Sequence, residues 1–314
     1  MDHQFQSRHP EFAGFSDFYA SRLRPELIAR DGARAKAVRE GWTLGLVLGG
    51  LVLAVGVGVG LAQGDHGWTF GSVFLAGMVG MGSWFAKTRK IADETKSRLV
   101  NGVLGYVGWQ FDAHVGSYDV APFTALFLLP AKVDRMMFED AVTGQAHGAA
   151  FRSVEATLQR ERTDSQGNRT YKTLFQGQLM QMDFPTRTFG RTVVLRDKGM
   201  FNAKRHGDMK RVGLASPRFE RLFEAYSTDQ VEGRVILDPV FMQAMLDLEA
   251  SVSGKNIRFG FQGDTLFIAV ETGDQYEAGS MLKSLDDPAP TQKIIDEVGL
   301  LFDIADKLSA RSRG

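Results

Sequence analysis

Two uninterrupted apolar stretches dominate the pattern of the chain. The first runs from Trp42 to Ala62 and the second from Trp68 to Ala86, and neither holds a charged side chain. At about 1.5 Å of rise per residue, each would form a helix roughly 28–32 Å long, enough to cross a hydrocarbon layer of roughly 30 Å. Only Gln63-Gly64-Asp65-His66-Gly67 separates them, so the pattern predicts a transmembrane helical hairpin over 42–86. The spans also carry small residues at four-residue spacing: Gly45 with Gly49 and Gly56 with Gly60 in the first, and Ser72, Ala76 and Gly80 in the second. Such faces let backbones approach closely where lipid gives no hydrophobic drive between helices. The short turn favours packing of one span on the other, and a homodimer through a leftover glycine face is the alternative.

Residues 1–41 form an N-terminal segment that begins polar and becomes amphipathic. Phe12, Phe15, Phe18, Tyr19, Leu23 and Leu27 fall near helical spacing, with Pro25 interrupting. Its basic residues suit either an anionic headgroup layer or a solvated helix whose aromatic side packs on a soluble domain. The apolar stretch starts too late for an ordinary cleaved signal peptide. Arginines precede the first span and Lys87, Arg89 and Lys90 follow the second, while the turn has neither Lys nor Arg. The positive-inside rule then places both termini in the cytoplasm and the turn on the outer side of a two-pass membrane protein. Ile91, Thr95, Leu99, Val103, Val107 and Phe111 continue a helical stripe, which predicts a helical connector over 87–118.

From 119 to 314 the pattern predicts a cytoplasmic domain. Residues 120–130 are apolar but too short to span, as a buried strand or short core helix would be. Residues 153–162 and 170–184 read as a hairpin around a polar loop, and 189–197 as a further strand. Residues 203–211 form a basic loop, 217–227 a short helix, and the stretch before Asp238 a strand. Asp238 then caps a helix with Pro239 at its first position. Ile257, Phe259 and Phe261 alternate on one strand, Leu266, Ile268 and Val270 on the next, around Gly263-Asp264. After Asp286–Pro290 breaks the chain, a final helix covers about 291–310. Strands joined by hairpins and short helices make this an α+β fold with an antiparallel sheet.

Composition narrows the chemistry. Lys plus Arg and Asp plus Glu both number 37, which argues against a general nucleic-acid binder. The chain has no Cys, which excludes disulfides, Cys-ligated zinc, iron–sulfur clusters and thiol nucleophiles. The six His are scattered without metal-ligand spacing. No Rossmann, P-loop, zinc-protease or nucleophile-elbow motif occurs. No catalytic set, metal site or cofactor is therefore expected. Two polar groupings remain as candidate ligand sites. Lys204, Arg205, His206, Lys210 and Arg211 could meet an anionic headgroup or phosphorylated ligand, or form a solvated loop. Asp229, Glu232 and Arg234 could supply a base and an anion clamp, or form a turn whose polar groups bond their own backbone.

The chain resembles a bacterial family known only as domain of unknown function 3137. The likeness rests on Phe138, Asp140, Gly144 and Gly148, on Phe175, Gly177 and Asp183-Phe184, and on Phe219, Phe223, Tyr226, Asp229 and Gln230. It continues through Arg234, Leu237, Pro239, Phe241 and Met242 into the hairpin Phe259–Ala269, and covers most of residues 12–310. The resemblance implies a bacterial membrane protein with two N-proximal membrane helices and a cytosolic domain, with no reaction or catalytic residues to transfer. The sequence then favours a non-enzyme: an anchored scaffold that recruits a protein partner to the bilayer. The alternative is a membrane-bound sensor or enzyme acting on a lipid headgroup or phosphorylated small molecule.

Overall fold

A computed structural model describes residues 3–64, 66–146, 148–163, 167–183, 189–197, 206–251, 256–272 and 282–309. The chain divides into two units. The first comprises Met1–Gln6, Phe12–Val103 and Glu277–Ile294, and the second Ser7–Glu11, Leu104–Tyr276 and Ile295–Gly314.

In the first unit, α1 (Phe15–Phe18), one π-helical turn (Tyr19–Leu23) and α2 (Arg24–Gln63) follow one another without a break. Pro25 does not interrupt the helix. It lies in the first turn of α2, and the wider π turn before it absorbs the lost N–H and the clash of its ring with the preceding turn. α2 ends at Gly64, which is left-handed at φ 66° and donates its N–H to the Gly60 carbonyl. α3 (His66–Tyr106) then returns. Both helices are long and apolar enough to cross a membrane, and only 22% and 6% of their apolar windows are buried. A core helix of a soluble protein would be mostly buried, so this exposure argues against that reading.

The aromatic side of the N-terminal segment is packed within this unit. Phe15 and Tyr19 are fully buried, and Phe5 lies 4.7 Å from Tyr19, edge to face. That side is therefore not available to a headgroup layer. Arg24 grips Asp286 with two hydrogen bonds of 2.6 and 3.0 Å. Asp31 accepts from the Arg34 Nε at 2.8 Å and from the Leu285 N–H at 2.9 Å. The guanidinium bonds of Arg34 and Arg24 hold the Asp31 and Asp286 carboxyls below the usual carboxylate range.

The helical connector expected to reach residue 118 stops at Tyr106. Gly108 turns the chain at φ 78°, Trp109 donates its N–H back to the Leu104 carbonyl, and Phe111 enters a strand. Among the described residues, the second unit is built on nine strands: β1 (Gln110–Asp112), β2 (Arg135–Ala146), β3 (Ala149–Thr163), β4 (Arg169–Asp183), β5 (Phe189–Arg196), β6 (Lys210–Arg211), β7 (Phe223–Ser227), β8 (Ile257–Gly263) and β9 (Thr265–Glu271). Their order is β1-β2-β3-β4-β9-β8-β5-β7-β6, and every pairing is antiparallel. The fold is α+β. The β8–β9 hairpin inserts between β4 and β5, which are consecutive in sequence.

Among the described residues, five helices accompany the sheet: α4 (Ala121–Ala125), α5 (Pro217–Glu220), α6 (Gln230–Ile236), α7 (Pro239–Ser251) and the later part of α8 (Ala289–Ser309). Two sequence expectations change. Only Pro217–Glu220 of the stretch 217–227 is helical; residues 223–227 are a strand buried at every position. Residues 230–236 are a helix, not a strand, because Asp229 caps them and overrides the β preference of Val231, Val235 and Ile236. Asp238 accepts the Phe241 N–H at 2.8 Å as the cap of α7.

Both faces of the sheet are covered. On one, Phe123, Leu126 and Leu128 pack with Val154, Leu158, Phe175 and Val193. On the other, Phe241 of α7 meets Phe261 at 5.7 Å, and Phe302 of α8 meets Trp109 at 4.3 Å. Two-sided cover leaves Arg258 only slightly exposed, and it bonds the Leu128 carbonyl and the Glu271 carboxylate. Burial pushes its pKa down and Glu271 offsets this.

Candidate functional site

Along α2 and α3 the small residues form a seam. A Cβ placed on Gly45 would lie 2.8 Å from the Gly80 carbonyl oxygen, one on Gly49 3.0 Å from that of Ala76, and one on Gly56 2.0 Å from the Ser72 Cβ. Gly60 is buried on the same helix. Gly41, which the spacing did not single out, lies under Trp84. Beside the seam runs an apolar groove of about 570 Å³, lined by Trp42, Leu46, Leu53, Ala76, Met81 and Trp84 among others.

In the sheet unit, the polar stretch after β7 is engaged mainly with backbone. Ser227 Oγ accepts the Asp229 N–H at 3.1 Å and lies 2.8 Å from Thr192 Oγ1. Asp229 Oδ1 accepts from the N–H groups of Val231 and Glu232 at 2.8 and 3.0 Å, capping α6. Glu232 Oε2 accepts the Gly190 N–H at 2.7 Å and so ties α6 to β5. Arg234 is exposed on α6, and its side chain pairs with no described residue. Asp229 and Glu232 are thus engaged with backbone N–H groups, as in the turn reading of this stretch.

The basic stretch divides as well. Lys204 and Arg205 lie outside the described residues. His206 is buried, its ring 3.9 Å from that of Tyr226 and edge-on to Phe127 at 5.4 Å. Lys210 is exposed on β6, and its carbonyl accepts from Gln230 Nε2 at 3.0 Å. Arg211 lies 3.6 Å from Glu224 Oε1, and the Tyr226 hydroxyl donates to Glu224 Oε2 at 3.1 Å. Burial and the Glu224 carboxylate push the Tyr226 hydroxyl up to about 12. It stays protonated near neutral pH and acts as a donor, not a base.

Phe127 and Glu224 were not among the sequence candidates for ligand binding. Phe127 is left-handed at φ 59°, costly for a bulky side chain. It holds the position after α4 where two bonds close the helix: Phe127 N–H to Thr124, and Leu128 N–H to Phe123. Glycine is usual there, so composition gave no signal. Among the described residues no group of three His, Asp or Glu could hold a metal ion.

The geometry defines a class: a pair of long apolar helices coupled in sequence to an antiparallel α+β unit. Residues 173–310 match the family described as protein of unknown function (DUF3137), the family that the sequence resembles. No curated protein matches the chain. Among solved structures, the crystal structure of the mycobacterial trehalose monomycolate transport factor A, TtfA, is similar over 66% of this chain and 95% of its own, at 13% identity and a TM-score of 0.34. At that TM-score the likeness carries no argument about fold or function.

Proposed function

We propose that the protein is a two-pass protein of the bacterial inner membrane whose hairpin anchors a cytoplasmic sheet unit, and that this unit recruits a protein partner to the bilayer. The observation that carries the anchor is the exposure of the apolar helices: Leu46, Leu61, Phe70 and Phe74 all face outward and need lipid around them. The charge pattern supports termini on the cytoplasmic side. For the partner, support comes from α6, where Val231 and Val235 stand one turn apart, 70% and 56% exposed, with Arg234 beside them. An exposed apolar helix face with an arginine on its rim is suited to a protein surface. The sensor or enzyme reading has less support, because Asp229 and Glu232 already accept backbone N–H groups.

Topology can be mapped directly because the chain has no native Cys. With Gly64→Cys or Asn101→Cys, a membrane-impermeant maleimide applied outside should label the first and not the second. For the partner, the full-length protein and a Val231→Ser/Val235→Ser variant are purified gently from native membranes and analysed by mass spectrometry. A stoichiometric protein lost from the variant is the expected result. The same proteins at the same yield from both, or a retained lipid or phosphorylated metabolite with no protein, would overturn the reading.

A further inference from the structure

The sheet has an open edge at one end. β1 pairs only with Ala141, Val142 and Thr143 of β2. Among the described residues no strand lies on the outer edge of Arg135–Glu139, which β3 pairs on its inner side only. A bulge between Glu139 and Val142, with Asp140 left-handed at φ 53°, separates the covered half of β2 from the uncovered half. Arg135, Met136, Met137 and Glu139 are exposed, the two methionines by 44% and 37%. An unpaired edge of this kind can accept another strand, with its end charges Arg135 and Glu139 deciding which.

The sequence of this edge is complementary to itself. When two copies of Arg135-Met136-Met137-Phe138-Glu139 run antiparallel about a two-fold axis at Met137, each Arg135 stands opposite a Glu139, and each Met136 opposite a Phe138. Met137 meets its own copy. Facing side chains then give two opposite-charge pairs on one face and two methionine–aromatic pairs on the other. A parallel alignment in register would set Arg135 on Arg135 and Glu139 on Glu139. An antiparallel register centred on Met136 or Phe138 would leave both charges without their opposite. The complementarity selects one arrangement.

We propose that two copies of this chain associate through the open half of β2, in the antiparallel register centred on Met137, to form one sheet continuous across both. This surface is distinct from the Val231 and Val235 face suggested for a partner.

The test uses the full-length protein in detergent, with mass by light scattering and Cys cross-linking. The wild type should be a dimer. Arg135→Glu should weaken the dimer about tenfold, since both facing pairs become like charges, and Arg135→Glu/Glu139→Arg should restore it. Rescue by the double exchange separates pairing from misfolding. Met137→Cys should form a disulfide dimer readily because the two Cβ atoms face each other across the axis, whereas Met136→Cys alone should do so poorly. Val231→Ser/Val235→Ser should leave the dimer unchanged, so loss of the partner reading would not remove this one. A monomer at all concentrations would overturn the proposal. So would a dimer indifferent to Arg135→Glu, which would place the contact elsewhere, or Met137→Cys captured on a different protein.

Discussion

Replacing Gly177 with alanine tests the packing of the centre of the sheet. Gly177 lies on β4 at φ 151°, opposite Glu271 of β9. A Cβ at this position would stand 2.0 Å from the Val270 carbonyl oxygen, 2.6 Å from the Thr272 nitrogen and 2.9 Å from the Glu271 Cα. All three are backbone atoms, so no side chain can swing aside. Relief to a tolerable contact of 3.0 Å requires the strands to part by about 1 Å. That opens ladder bonds such as Thr272 N–H to the Gln176 carbonyl, already 3.2 Å long. The strained backbone costs roughly 1–3 kcal/mol, and two weakened ladder bonds about 1 kcal/mol each. The sum, roughly 3–5 kcal/mol, is a large part of a typical domain stability of about 5–15 kcal/mol. Gly263→Ala is the matched control: φ is 62° but nothing lies within 4 Å of its added Cβ, so it should cost only about 1–2 kcal/mol. Both variants are compared with the wild type in detergent by urea unfolding and by hydrogen exchange at β4 and β9. If Gly177→Ala is no less stable than Gly263→Ala, the steric argument fails.

Three further outcomes are expected. Asp229→Ala should destabilise the sheet unit by about 1 kcal/mol through loss of the α6 cap, with Asp229→Asn nearly neutral; equal losses in urea unfolding would refute the capping role. The Tyr226 hydroxyl is raised to about 12 from roughly 10 in an unfolded chain, so the fold keeps the proton that the unfolded state gives up. Stability present below about pH 10 should fall as pH rises towards about 12, and Tyr226→Phe should flatten that fall in thermal unfolding. Asp31 and Asp286 are lowered, so the stability they lend is present above their unfolded value of about 3.9 and lost as pH falls through the folded values. Hydrogen exchange at residues 284–290 should accelerate below about pH 4 in the wild type and be fast at neutral pH in Asp31→Asn/Asp286→Asn.

The parts of the fold legible in the sequence are those encoded locally. Alternation plus a turn marks β3–β4 and β8–β9 as hairpins, and Asp238-Pro239 marks the start of α7. β7 was not legible because a five-residue strand buried at every position has no period, and its Phe223 happens to stand four residues after Phe219 of α5, as on a helix. The insertion of β8–β9 between β4 and β5 is a long-range choice that no local pattern carries. Reading Ile257, Phe259 and Phe261 as the buried set implied a wet opposite face. The cover from Leu126 and Leu128 instead encloses Arg258, so its pairing with Glu271 went unseen. At the candidate site the sequence identified the polar residues but not their partners. It could not say that Glu232 reaches Gly190, or that His206 turns inward onto Tyr226.

The distribution of engaged groups bears on where function can lie. A catalytic cleft keeps acids, bases and anion binders turned towards a shared space. In this sheet unit Asp229 and Glu232 face backbone N–H groups, Tyr226 and Arg211 converge on Glu224, and Arg258 is held by Glu271. Among the described residues of this unit, Met136 and Met137 on the edge of β2 and Val231 and Val235 on α6 are exposed apolar positions of the kind a polypeptide can cover. They also lie towards opposite ends of the strand order, since β2 is next to β1 while α6 follows β7, next to β6. Occupation of one would not consume the other. If two copies join along β2, the dimer would carry two valine faces on one anchored assembly. A partner with two matching sites would then bind the second at a high effective concentration, and avidity could exceed either single affinity by roughly 10²–10⁴-fold. A modest exposed patch such as Val231 and Val235 would thereby gain binding strength from being presented twice.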